Sequence, residues 1–409
     1  MSSSTGYENA DQQSQIAVIS WRDQEAEFSS EFRFAESHFR RSLSEYPLAL
    51  SEFTTEAGID HIRASHSWLA NFPRWFIIRS PMALLSKSIF DVLNRVFDDH
   101  PDLVSVAAAE IGKDQPENAP QYPYYTWRGF AAFQEAMVSR PPAVTPLIDR
   151  EPFAFMLDHG RVPSDLGGLP IGDLPKALAA DRTAIATNAF VHPLDGYYRY
   201  PRMDVVEVLP DELTSLLDVG CGSGAFGRVV REKWGCRVVG VELNPAAAAN
   251  ARLVLDHVFE ADIINLSIEE RFEVITVNDV LEHVEDPEAL LEKLSGLVTR
   301  DGQLVVSIPN VGHWSIIEDL LAGHWDYLPA GLLCIDHLRF FTRRTVVSMM
   351  ERAGWQPRDT HPIPGPMPEQ KRELFKKLLG QDRQIDRESL ESQGYIIVAK
   401  RAADSATGS

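Results

Sequence analysis

The run Leu-Leu-Asp-Val-Gly-Cys-Gly-Ser-Gly-Ala-Phe-Gly, from Leu216 to Gly227, constrains the fold more than any other part of the chain. Leu216, Leu217 and Val219 read as a short buried strand. Gly220, Gly222 and Gly224 permit a tight turn whose backbone amides can approach a ligand with no Cβ in the way. The residues that follow read as a helix, whose first amides favour an anion or a nucleotide-like group. Asp218 falls at the carboxyl end of the strand, the edge where open α/β sheets bind ligands. Such a turn alone fits nicotinamide and flavin binders as well as other nucleotide-like ligands, so the neighbouring segments must discriminate.

Arg237 to Val241 reads as a second buried strand ending on Glu242, where an acidic side chain can accept hydrogen bonds from two ribose hydroxyls. A third strand, His257 to Glu260, leads to Ala261-Asp262-Ile263, and a fourth, Phe272 to Val277, leads to Asn278-Asp279-Val280-Leu281-Glu282-His283. A helix from about Pro287 to Val298 and a turn at Arg300-Asp301-Gly302 precede a fifth strand, Gln303 to Ile308. Glu369 to Leu379 reads as a charged amphipathic helix and Tyr395 to Lys400 as a closing strand. Strand and helix alternate throughout, which predicts an α/β fold with a doubly wound, mainly parallel sheet.

The pieces LLDVGCGSGAFG, VVGVELN, the Ala261-Asp262 pair, NDVLEHVEDPEALLEKL and RDGQLVVSIPN occur in order, and over residues 197–401 the chain resembles a class I S-adenosylmethionine-dependent methyltransferase. That resemblance implies a Rossmann-like sheet and S-adenosyl-L-methionine as cofactor. It implies that Asp218, Gly220 and Gly222 cradle the methionine end, Glu242 holds the ribose, and Asp262 with Ile263 bounds the adenine. Cys221, Gly224, Leu243, Asn278 and Asp279 belong to the same implied pocket. Tyr198 and Arg202 lie in a segment expected to close over it, with the Arg202 guanidinium able to pair with the methionine carboxylate. Read without the resemblance, Asp262 is a strand-terminal turn residue and Arg202 an exposed linker arginine.

Asp326 to Thr342, with its Ile335-Asp336-His337-Leu338-Arg339-Phe340-Phe341-Thr342 run, resembles more narrowly a bacterial branch found beside or fused to glycosyltransferases. Ser307-Ile308-Pro309-Asn310 and Tyr197 to Arg202 fit the same branch. It implies O-methylation of a sugar, glycan or specialised metabolite, such as cell-surface glycans carry. A hydroxyl acceptor benefits from a general base, for which histidine is the usual choice. His337, His283 and His313 are the candidates, in that order, because each falls at the ligand edge of the sheet or in the insertion beside it. His283 also reads as a helix-start histidine bonded to backbone, and His324 as surface or packing. Asp279, Glu282, His283 and His313 offer mixed oxygen and nitrogen ligands for a divalent metal, although the expectation is a metal-free site.

Formal net charge is −20, from 39 basic and 59 acidic residues, which opposes attraction to a phosphate backbone and excludes nucleic acid as the expected acceptor. Cys221, Cys236 and Cys334 show no paired spacing. No apolar run reaches the roughly 18 residues a membrane span needs, and residues 1–15 are polar and Ser-rich, so the expectation is a cytoplasmic protein with a disordered N-terminal tail.

Residues 16–190 carry strand-like runs at Ile16 to Trp21, Trp75 to Arg79 and Leu103 to Ala108, with a helix over Lys87 to Asp98. The Pro- and Gly-rich stretch from Pro141 to Pro175 reads as loops. WFIIRSPMALLSKSIFDVLNRVFDDHPDLVSV resembles the strand, turn, helix and strand of an A-type glycosyltransferase, but Arg79-Ser80-Pro81 stands where such enzymes place a metal-holding Asp-x-Asp pair. The expectation is a second α/β domain, a degenerate relative that binds acceptor or supports a homo-oligomer, or else an unrelated α/β domain. It is followed by the methyltransferase-like domain at 197–401 and a disordered tail at 402–409. A bifunctional glycosyltransferase-methyltransferase, a cofactor-binding scaffold without turnover and an NAD-dependent oxidoreductase are the alternatives.

Overall fold

The computed structural model describes residues 16–21, 37, 48–51, 57–80, 83–85, 89–110, 125–139, 143–147, 151–193, 201–379 and 386–402. The expectations for the tails at 1–15 and 403–409 and for Tyr198 fall outside these residues. The chain forms two compact units, whose described residues come from Met1–Gln121 with Phe130–Asp195, and from Tyr122–Gly129 with Gly196–Ser409.

The first unit is built on strands β1 (Ile16–Trp21), β2 (Leu48–Ser51), β3 (Arg74–Ile78), β4 (Ala83–Leu85), β5 (Ser105–Glu110), β6 (Val144–Pro146), β7 (Ala154–Asp158) and β8 (Thr183–Pro193). Their order is β2-β1-β3-β7-β5-β8-β4, with β6 also on β8. β1 runs parallel to β2 and β3, β7 runs antiparallel to β3 and β5, and β5 is parallel to β8. Trp75 to Ile78 and all of β5 are buried, as a sheet covered on both faces requires. The helix Ile89–Asp99 turns Ile89, Phe90, Leu93, Val96 and Phe97 onto this sheet, with Phe90 edge-on to Phe76 at 5.0 Å between centroids. The stretch expected to be loops instead contributes β6 and the central strand β7. Ala154 to Leu157 is apolar enough to be fully buried between two neighbours, and tertiary pairing overrides the flanking prolines.

The second unit holds β9 (Ser215–Val219), β10 (Arg237–Glu242), β11 (His257–Glu260), β12 (Phe272–Asn278), β13 (Val298–Pro309), β14 (Trp355–Pro364) and β15 (Ser392–Arg401). The order is β11-β10-β9-β12-β13-β15-β14; the first five are parallel, and β15 is antiparallel to both β13 and β14. This Rossmann-like sheet carries the carboxyl ends of β9, β10, β12 and β13 along one edge. Cores lie on both faces: Leu217, Ile275, Val306 and Trp355 belong to one, and Leu216, Val274, Val305 and Val230 to the other.

The expected turn at Arg300-Asp301-Gly302 lies inside β13. Phe272 pairs with Val298 and Val274 with Gln303, so residues 299–302 bulge out while the pairing resumes beyond them. Consequently the helix Pro287–Ser295 ends earlier than its apolar spacing predicts. Its start is firm: Pro287 opens the first turn, and the Asp286 carboxylate accepts the Ala289 N–H at 3.0 Å. Asp286→Ala is expected to destabilise the second unit by about 1 kcal/mol in chemical denaturation. An unchanged midpoint and slope would show that this cap contributes nothing.

Candidate active site

The glycine turn is closed by its neighbours. Gly220 and Gly224 have φ of 73° and 79°. A Cβ on Gly220 would stand 2.4 Å from Val280 Cγ2, and one on Gly224 would press on Ala251 Cα at 3.1 Å, so both position and packing require glycine. Gly224 is followed directly by the helix Ala225–Trp234. Glu242, at the end of β10, accepts the Gly222 N–H on Oε2 and the Asn244 N–H on Oε1, each at 2.8 Å. Its carboxylate is therefore fixed in place and keeps further lone pairs for a ligand.

Asp218 is 1% exposed and accepts the Thr276 hydroxyl at 2.8 Å. Burial, against which the Thr276 hydrogen bond works, and the nearby negative charge of Glu242 push its carboxyl up to about 7. Because this folded value lies above the ordinary 3.8, the native state holds the extra proton between about pH 4 and pH 7. The stability contribution is thus complete at acid pH and declines as pH rises through that window. Asp218→Asn, which keeps an acceptor for Thr276, is expected to gain on the wild type in thermal unfolding as pH rises from 5 to 8, by about 2 kcal/mol. Parallel melting curves across that range would contradict it.

The end of β12 is tied to β13 and to the segment before the sheet. Asp279 adopts a left-handed φ of 52°, uncommon for a non-glycine residue. Ser307 Oγ donates to Asp279 Oδ1 at 2.8 Å and accepts the Asp279 N–H at 3.0 Å and an Arg202 N–H at 2.9 Å. Arg202 also pairs with the Asp279 carboxylate, and its Nε and Nη2 form a fork to Asp204 at 3.0 Å each. That fork is taken up by Asp204, so in this arrangement Arg202 organises the pocket rim and would have to re-pair to reach a ligand carboxylate. Thr276 and Asp204 carry no motif in the sequence, and Ser307 stands out only within the Ser307-Ile308-Pro309-Asn310 run. The signal for Thr276 and Ser307 is a lone hydroxyl residue within an apolar stretch of strand.

Cys221 is buried, lies against Gly240, and has its thiol pushed far up by burial, so it acts as packing in the turn. Asp262 caps a short turn, accepting Ile264 N–H at 2.9 Å and Asn265 Nδ2 at 3.2 Å, as the plain reading has it. Ile263 points into the core; its neighbour Ile264 and Leu243 are the apolar side chains left exposed at this edge, 38% and 71% respectively.

The three candidate histidines separate. His313 is fully buried at the N-cap of Trp314–Leu321. Nε2 donates to Gly365 O at 3.0 Å, which leaves Nδ1 to accept from Ser315 Oγ at 2.9 Å. Both nitrogens are committed, and burial holds the imidazole down at about 4. His283 and His337 lie together, ring centroids 4.9 Å apart at 81°. His283 Nδ1 bonds Asp336 O at 3.1 Å, and His337 Nδ1 bonds Leu332 O at 3.2 Å. Carbonyls only accept, so both rings carry the proton on Nδ1 and the lone pair on Nε2. Burial lowers both, His337 to about 4, so both are neutral at pH 7. Asp279 and His313 are engaged elsewhere, and the four-residue grouping with Glu282 and His283 does not assemble; His337 is the residue that joins Glu282 and His283.

The insertion carrying His337 is pinned by Glu282, whose carbonyl accepts Leu338 N–H at 2.7 Å and Arg339 N–H at 3.1 Å. Trp325, Tyr327 and Leu338 remain 38%, 38% and 49% exposed along it, and Phe340 meets Trp325 edge-on at 5.2 Å.

Residues 189–360 match the family model described as a methyltransferase domain. The second unit thus carries a class I S-adenosylmethionine-dependent methyltransferase domain, and S-adenosylmethionine is its methyl donor. The residues fit that donor: Asn278 Oδ1 is buried at the pocket edge with no hydrogen-bond partner, Glu242 offers lone pairs, and Leu243 and Ile264 leave apolar surface open beside it. Among curated proteins, the chain is 27% identical to a ubiquinone biosynthesis O-methyltransferase of Aeromonas salmonicida (strain A449), covering 35% of this chain and 63% of that protein. It is 33% identical to a trans-aconitate 2-methyltransferase of Enterobacter sp. (strain 638), covering 24% and 41%. The chain therefore spans less than two thirds of the length of these relatives. A solved S-adenosylmethionine-dependent methyltransferase from Mesorhizobium loti aligns at 19% identity and a TM-score of 0.35, over 51% of this chain and 99% of that one. No helix among the described residues is long and apolar enough to cross a membrane.

Proposed function

We propose that this protein transfers the methyl group of S-adenosylmethionine to a hydroxyl oxygen of a small-molecule, sugar or glycan acceptor. The observation that carries the reading is the pairing of two features on one sheet edge. One is a glycine turn with a fixed carboxylate at Glu242. The other is a pair of neutral imidazoles, His283 and His337, with their protons fixed away from the open lone pairs. In the reaction the carbon–sulfur bond of the sulfonium breaks as the acceptor oxygen bonds to the methyl carbon, and S-adenosylhomocysteine leaves. The hydroxyl proton passes to the Glu282–His283–His337 cluster. Since the donor is already activated, alignment supplies much of the acceleration, and the cluster supplies the base.

The exposed Trp325, Tyr327 and Leu338 favour an acceptor with an apolar face, such as a sugar ring or an aromatic metabolite, and the excess of acidic residues disfavours nucleic acid. The name of one relative, a ubiquinone biosynthesis O-methyltransferase, supports oxygen as the receiving atom. We read the first unit as a non-catalytic relative of A-type glycosyltransferases that helps bind acceptor or assemble copies. The succession β3, Ile89–Asp99, β5 supports this, as does Arg79 pairing with Glu151 at 3.5 Å where a metal-holding carboxylate would otherwise stand. Three buried cysteines outside any disulfide support a reducing, cytoplasmic setting.

The test is calorimetric titration with S-adenosylmethionine, S-adenosylhomocysteine and NAD. It is followed by a screen of hydroxyl-bearing sugars and phenolic metabolites for transfer of labelled methyl. Binding of the first two ligands with methyl incorporation into an oxygen is expected. Binding of NAD alone, or incorporation only into amines or carboxylates, would overturn the reading.

A further inference from the structure

Glu282, His283 and His337 each offer one ligand atom, and these atoms lie within 4.8 Å of one another. Glu282 is 1% exposed and its Oε2 has no hydrogen-bond partner; His283 Nε2 is buried and likewise has none. The two Nδ1–H groups donate to Asp336 O and Leu332 O, so each ring turns its lone pair away from those carbonyls. Buried acceptors left without a donor are costly, by about 1–3 kcal/mol for a neutral group and more for a charged one. Burial favours a proton on the Glu282 carboxyl, but that one donor cannot serve both imidazole lone pairs, and acceptors converging in excess of donors are what a cation site looks like before the cation is added. The carbonyls that orient the two imidazoles are, in turn, the outer partners that metal-binding histidines ordinarily have.

We propose that Glu282, His283 and His337 bind one divalent first-row transition metal ion, with two imidazole nitrogens and one carboxylate oxygen as protein ligands. The donor set selects the class of ion: two nitrogens suit zinc, cobalt, iron or manganese, whereas magnesium and calcium prefer oxygen throughout. Three ligands leave open positions, as in catalytic rather than structural zinc sites. Ligand bonds of about 2.0–2.2 Å require the three atoms to close in by roughly an ångström, a movement within reach of side-chain rotation. Glu282 and His283 follow β12, while His337 lies in the insertion, so the ion joins that insertion to the sheet edge. Backbone hydrogen bonds from Leu338 and Arg339 to Glu282 O already hold the same junction together. The site rests on this geometry and not on the proposed reaction; it uses the same Nε2 and carboxylate lone pairs that serve as the base in the metal-free cluster, so the ion and the acceptor proton compete for them.

The test uses the full chain after removal of metal with a chelator, titrated with cobalt(II) alone and then with zinc(II) alone as competitor. One equivalent of cobalt is expected to bind with visible ligand-field bands and to be displaced by zinc, but not by magnesium at the same concentration. Glu282→Gln and His337→Ala are expected to weaken cobalt binding by about 100-fold or more. The absence of such bands in the wild type, or bands and affinity unchanged in both variants, would overturn the proposal. X-ray absorption of the zinc-loaded wild type decides it independently of any variant: two imidazoles in the ligand shell support the site, and a shell without imidazole refutes it. S-adenosylhomocysteine binding, measured on the same metal-free samples, reports separately on the methyltransferase reading and on folding of the variants.

Discussion

Glu242→Ala is expected to weaken S-adenosylmethionine and S-adenosylhomocysteine binding by at least about 100-fold, with a modest fall in melting temperature of the ligand-free protein from the two backbone hydrogen bonds lost at Gly222 and Asn244. Two hydrogen bonds from ribose hydroxyls to a carboxylate are worth roughly 1.5–3 kcal/mol each, and a factor of ten in affinity is about 1.4 kcal/mol. The carboxylate has a second task, since it accepts the Gly222 and Asn244 N–H groups and so holds the glycine turn open for the ligand. Both effects act in the same direction on binding. Glu242→Gln should fall between wild type and alanine: one backbone N–H then faces an amide NH2 instead of an oxygen. Calorimetry of the three proteins decides the matter. Equal affinity in wild type and Glu242→Ala would remove Glu242 from the cofactor site, and a large fall in melting temperature would reassign it to folding.

His337→Ala should reduce methyl transfer by about 100- to 10,000-fold while leaving cofactor affinity within a few-fold of wild type, the range expected when a group handling the acceptor proton is lost. The separation follows from partners: His337 lies on the insertion, bonded to Leu332 O and packed on His283 and Phe340, whereas Glu242 holds Gly222 and Asn244. His313→Asn serves as the contrast. Its target is a buried cap bonded to Ser315 and Gly365, so the loss is expected in stability and not specifically in turnover. Should His337→Ala turn over at the wild-type rate, the acceptor proton leaves by another route.

Most of the second unit is legible from residue order, because β9, β10, β12 and β13 are mainly apolar and buried and several end near a residue with a distinct chemical task, such as Asp218 or Glu242. What escapes is whatever depends on a partner distant in sequence. The bulge at 299–302 looks like a turn because Asp301-Gly302 has turn chemistry; only pairing with β12 shows that the strand has already begun. In the first unit, β7 is hidden among prolines and glycines for the same reason. The histidines show the limit most clearly. Sequence places His283, His313 and His337 near one edge but not the direction in which each nitrogen points. That depends on the carbonyls of Asp336, Leu332 and Gly365, which no spacing rule supplies.

One junction also sets a timetable for making the protein. Asn310, at the end of β13, is fully buried and donates to Ser389 O and Ser392 O at 2.8 Å each, while β15 inserts between β13 and β14. During synthesis the ribosome must release some 82 further residues after Asn310 before that bond to Ser392 can form. Until then β13 is an uncovered edge, although the glycine turn and Glu242 have long since emerged. The nascent chain should accordingly gain its glycine turn early and its complete sheet late, with an open strand needing protection in between.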